Sequence, residues 1–140
     1  MDSIVDLLRV KADLTLKNIH HGIAESEVLN VLEKELPEIK PLSENISNPE
    51  NVYKVMQVFA NYTKQLAVTG NLKEVKHCFN VAEKLINEGN NIVKNGIFNC
   101  YLFSVSTVMD LTSPVSQTIK NLLTDSLRKE YYRQTGASCI

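Results

Sequence analysis

From Ile97 to Met109 the chain is apolar nearly all round, broken only by Asn99, Ser104, Ser106 and Thr107. A helix apolar on every side has to be enclosed by its neighbours, so this segment sets the plan of the fold. The wider stretch 92–111 falls short of the ~20 apolar residues a membrane span requires. It also carries Lys94 and Asp110 near its ends. Tyr101, Phe103, Val105 and Val108 would suit a strand as well. With only 5 Gly and 4 Pro in 140 residues, few turns are forced and helices are favoured. Residues 92–111 are therefore read as a buried central helix.

The rest of the chain supplies amphipathic helices to surround it. Leu72, Val75, Phe79, Ala82 and Ile86 recur at steps of three and four, with Lys73, Glu74, Lys76, Asn80, Glu83 and Lys84 opposite. Before it, Val52, Val55, Met56, Phe59, Tyr62 and Leu66 mark a helix over about 50–68, capped by Asn48 and opened by Pro49. Gly70-Asn71 and residues 87–91 are short turns, so neighbouring helices should run antiparallel. Ser113-Pro114 starts a last helix with Val115, Ile119, Leu122, Leu123, Leu127 and Tyr131 on its stripe. Nearer the start, one helix is expected to about Ile19 and stopped at Gly22. Another is expected from a Ser26 cap to Pro37. The predicted organisation is a helical pair (1–36), a Pro-rich linker (37–50), a core (51–133) and a tail (134–140). It amounts to a single-domain, all-α antiparallel bundle of about six helices.

Charge is unevenly spread. Residues 1–50 carry ten Asp/Glu against five Lys/Arg, a net of −5, whereas residues 51–140 carry a net of +4. The two parts can attract one another within the fold, or the acidic part can meet a basic partner. A scattered +4 is too weak for nucleic-acid binding. Three cysteines at wide spacing form neither a disulfide framework nor a zinc ribbon. The charged N-terminus does not read as a signal peptide, which makes a cytoplasmic location the expectation.

Residues 69–87 resemble half of a tetratricopeptide unit, and the helix hairpin over 50–88 resembles a single such unit. Displacing Gly70, Phe79 and Ala82 by about 34 residues in either direction lands on unsuitable residues, so no repeat array is expected. His20-His21, with Glu25 and Glu27 nearby, lacks a third ligand at fixed spacing. His77 and Cys78 are helix neighbours whose side chains diverge, the thiol toward the core and the imidazole away from it. Cys100 reads as a buried small residue. The sequence holds no Gly-rich phosphate loop and no metalloprotease or hydrolase motif. A non-enzyme without cofactor or metal is expected.

Residues 127–134, "LRKEYYRQ", bring together the residue types that most often anchor interfaces. Tyr131 falls on the core stripe, leaving Arg128, Tyr132 and Arg133 as the exposed set. Glu33, Glu35 and Glu38 are the acidic candidates for meeting a basic partner, with charge reversal there slowing association. Two other readings are a ligand pocket lined by Phe98, Tyr101 and Phe103, and a homodimer formed through a spare stripe on 50–68 or 115–131.

"ELPEIKPL" (35–42), "VYKVMQVFANYTKQLAVTGN" (52–71), "FNVAEKLINEGN" (79–90) and "SLRKEYYRQTGASCI" (126–140) follow one another in a pattern. It resembles a family of small, uncharacterised, all-helical bacterial proteins over about residues 30–140. Small helical proteins of this sort often serve as immunity partners that neutralise toxins. The resemblance thus implies a cytosolic non-enzyme that works by binding another protein; the weak charge and the short apolar run lead to the expectation of no nucleic acid and no membrane. It assigns no functional residues.

Overall fold

The computed structural model describes residues 22–49, 51–110 and 113–136. The expected first helix, His20-His21 and Cys139 lie outside the described residues. Over the rest, the bundle is all-α. Helix α1 spans Glu25–Glu35 and buries Val28 and Leu32. It starts one residue before the Ser26 cap expected from sequence. Ala24 takes the cap position, its N–H donating to Glu27 Oε1 at 2.8 Å, which satisfies one of the first-turn donors.

The stretch read as a linker is ordered by its own sequence. A 3₁₀ turn over Pro37–Ile39 runs into α2, Lys40–Ser43. Pro37 and Pro41 occupy first-turn positions, where the missing N–H costs nothing. Leu36 and Ile39, both buried, anchor the turn in the core. Thus prolines that suggested a break instead begin two short helical turns.

Helices α3 (Val52–Val68) and α4 (Leu72–Glu88) form the hairpin expected from the stripes. The α3 cap is Asn51, which accepts from the Lys54 N–H at 3.3 Å, rather than Asn48. The Asn48 carbonyl instead accepts from Asn51 N–H at 3.0 Å, closing the turn that delivers the cap. Val55, Met56 and Phe59 of α3 face Val75, Phe79, Ala82 and Leu85 of α4 within one core. That core uses up most of the α3 stripe considered as a dimer face.

The central helical path is unbroken from Asn91 to Met109: α5 (Asn91–Gly96), a π-helical segment (Ile97–Leu102) and α6 (Phe103–Met109). Its Val93, Ile97, Tyr101, Leu102, Val105 and Met109 are fully buried, as expected of the central element. The enclosure is incomplete, because Phe103 is 67% exposed. Phe103 lies two residues from both Tyr101 and Val105, on the side of the helix opposite their packing face.

The last expected helix is two. Helix α7 spans Pro114–Asn121 and α8 spans Asp125–Thr135. Its stripe runs through the break, so periodicity alone does not mark it. Tertiary contacts hold the break open: Lys76 Nζ donates to the Leu122 carbonyl at 3.1 Å, and Arg128 Nη2 to the Leu123 carbonyl at 2.9 Å. These cap carbonyls that a continuous helix would have bonded itself. Gln134 and Thr135, assigned to the tail, continue α8, which ends at Gly136 in the left-handed region (φ 74°).

Candidate functional site

Helix α8 lies across the central helix and leaves a groove on each side. Its core residues Leu127 and Tyr131 are buried, which turns their neighbours toward the two grooves. On one side α8 meets α6. Phe103, Ser106, Asp110, Lys120, Tyr132 and Thr135 line a groove of about 560 Å³ that also reaches Tyr131. At its floor the Tyr131 hydroxyl donates to Asp110 Oδ1 at 2.7 Å. Burial and that bond both push the Tyr131 phenol above its ordinary pKa. The rings of Tyr131 and Tyr132 meet edge-on, 5.4 Å apart. An aromatic wall with a hydroxyl-to-carboxylate bond at its base suits apolar contact edged by polar groups.

On the other side α8 meets α4 and the π-helical segment. Ile86, Lys94, Phe98, Lys129, Glu130 and Arg133 line this second groove, of about 480 Å³. Arg133 Nε donates to Glu130 Oε1 at 2.9 Å, and Nη2 donates to Oε2. This lowers the Glu130 pKa, with a further contribution from Gln134. Gln134 Nε2 also donates to the Phe98 carbonyl at 2.6 Å, tying α8 to the central path.

The sequence candidates divide between these places. Tyr132 lines the first groove and Arg133 the second. Arg128 serves structure: besides capping Leu123 it pairs with Asp125 at 3.1 Å. Among the acidic candidates, Glu33 accepts from Ser43 Oγ at 2.8 Å. Glu35 pairs with Lys84 at 3.4 Å, while its carbonyl lies 2.9 Å from His77 Nε2. Glu35 and Glu38 share a groove with Lys73, Lys76 and His77 of α4. Part of the acidic stretch thus meets lysines of α4 inside the fold. His77 is half-buried against Glu35 rather than turned to solvent.

Phe98, Tyr101 and Phe103 do not line one cavity. Phe98 borders the second groove and Phe103 the first. Tyr101 is fully buried against Phe59. Cys78 is buried as expected, and burial pushes its thiol up to about 12, opposed by a bond to Thr63. That thiol stays protonated near neutrality and is inert. Cys100, read as buried, is only half-buried, its thiol 3.6 Å from the Tyr53 carbonyl.

Lys94 and Lys129 were not singled out from sequence. They sit on different helices, and no spacing rule brings them together. The exposure of Phe103 was legible in principle, since it falls off the Ile97–Tyr101–Val105–Met109 row. Among the described residues, no three His, Cys, Asp or Glu side chains are grouped to hold a metal ion. No described helix is long and apolar enough to cross a membrane.

No curated protein and no solved structure matches the chain significantly. The model of one family, described as a domain of unknown function (DUF7674), matches residues 29–137, nearly the span over which the sequence pattern was drawn. The chain belongs to that family.

Proposed function

We propose that this domain works by binding another protein and catalyses no reaction. The observation that carries this reading is the wall of the first groove. Phe103 stands 67% exposed beside the half-buried Tyr132, at the junction of α6 and α8. A large aromatic held at the surface of a helix leaves apolar area in water, and covering that area is favourable. Tyr132 adds a rigid amphipathic side chain of the type enriched at interface centres. Both belong to helices packed on the core, so little ordering cost attends binding.

The resemblance to immunity partners fits this mode. A small bacterial cytoplasmic protein that neutralises a partner needs a rigid, complementary surface and no reactive group. The α6–α8 surface is preferred to Glu33 and Glu35, whose carboxylates already have partners within the fold.

Capture from the source cell tests the reading. Tagged wild-type protein is expected to retain one stoichiometric partner, and the Phe103→Asp variant to lose it while melting at the same temperature. Equal capture by the variant, or no partner for the wild type, would count against it.

A further inference from the structure

The second groove has a different character from the first. Lys94 of α5 and Lys129 and Arg133 of α8 converge on it, with Phe98 supplying apolar surface above the buried Ile86. Lys94 and Lys129 have no hydrogen bond or ion pair among the described residues. The carboxylates close by are already engaged. Glu130 is held by Arg133 and Gln134. Glu83 accepts from the Ser126 N–H at 3.3 Å and from its hydroxyl at 2.6 Å. The groove therefore presents two unpaired lysines, Lys94 and Lys129, beside the half-buried ring of Phe98.

We infer that this groove receives an acidic segment of a partner protein, its carboxylates meeting Lys94 and Lys129 while an apolar side chain lies against Phe98. The inference rests on the protein-binding reading and names the chemistry of the partner. Three features favour a peptide over other anions. At about 480 Å³ the groove is far larger than a lone phosphate or carboxylate needs. Its wall offers the half-buried Phe98 ring, which adds affinity only if the ligand brings apolar surface. Three cations fall short of the roughly six to ten phosphate contacts typical of nucleic-acid binders. The lysines chiefly steer and select, since exposed ion pairs contribute little each.

The test is a titration of the isotopically labelled full chain, followed through its backbone amides. The probe is a short synthetic peptide of glutamates around one leucine. Expected are shifts at Lys94, Phe98, Lys129 and Arg133. They should weaken sharply when glutamines replace the glutamates, and less when glycine replaces the leucine. The Lys94→Glu, Lys129→Glu double variant should bind about tenfold more weakly. Both side chains are exposed and unpaired, so its melting temperature should not change. Equal shifts with the glutamine peptide, unchanged affinity in the double variant, or shifts elsewhere would overturn the inference. Stronger shifts of the same amides by single-stranded DNA would overturn it too. If these outcomes appear while wild-type protein still captures a partner through Phe103, only the acidic-segment inference falls. Loss of capture as well would bring down the binding reading beneath it.

Discussion

Replacing Tyr101 by alanine is expected to remove about 4 kcal/mol of unfolding free energy. Tyr101 is fully buried, and its ring stacks on Phe59 with centroids 4.1 Å apart. Its truncation leaves a cavity between α3 and the central path that neither backbone can close. The hydroxyl adds a polar component. Thr63 Oγ1 donates to the Phe59 carbonyl at 3.0 Å and lies 2.9 Å from the Tyr101 hydroxyl. The two hydroxyls are hydrogen-bonded to one another, and the Phe59 carbonyl gives the threonine proton a second acceptor. Tyr101→Phe removes one bond and strands no donor, costing about 1 kcal/mol, whereas Thr63→Val leaves a buried phenol without its partner and costs about 2 kcal/mol. Denaturant titration should show that order at constant slope. Against a typical total of roughly 5–15 kcal/mol, the alanine variant loses a large share. A loss near 1 kcal/mol for alanine would contradict the stacked core.

Gly89→Ala is expected to cost about 3 kcal/mol, for want of space rather than backbone conformation. Gly89 has φ −82° and ψ 160°, which any residue adopts. A Cβ built there would lie 2.5 Å from the Leu85 carbonyl oxygen and 2.6 Å from Val93 Cγ1. The carbonyl belongs to the end of α4 and cannot swing aside. The same junction holds the chain entering α1: Ile23 N–H donates to the Glu88 carbonyl at 2.7 Å, and Asn90 N–H to the Ile23 carbonyl at 2.9 Å. The variant should therefore unfold earlier in denaturant and exchange the Ile23 and Asn90 amides faster. Gly70→Ala is the contrast. Its φ is +78° with nothing within 4 Å of the added carbon, and it should cost only ~1 kcal/mol. Equal behaviour of the two variants would refute the close-packed junction.

Elements whose partners are local in sequence were legible. The α4 stripe of Val75, Phe79, Ala82 and Ile86 is buried as its spacing required, and residues 97–109 supply the centre of the core. What escaped depends on residues distant in the chain. Nothing around Leu122 and Leu123 announces that Lys76 will take one carbonyl and Arg128 the other. Pro37 and Pro41 read as a break because their role as helix openers depends on Leu36 and Ile39 finding the core. The site divides in the same way. Composition marked Tyr132 and Arg133, but two successive residues of a helix point about 100° apart, and only the packing of α8 sends them to different grooves. Lys94 joins Lys129 only after the central path is laid under α8.

Both grooves flank one helix, so a partner that engages this surface should protect α8 and the segment beneath it together. One groove has an aromatic wall and the other carries two unpaired lysines. Hydrogen exchange of the captured complex, compared with the free protein, tests this most directly. Slowed exchange is expected over residues 98–106 and 126–135, with little change over 24–39. Protection confined to 24–39, with α8 exchanging as in the free protein, would contradict it.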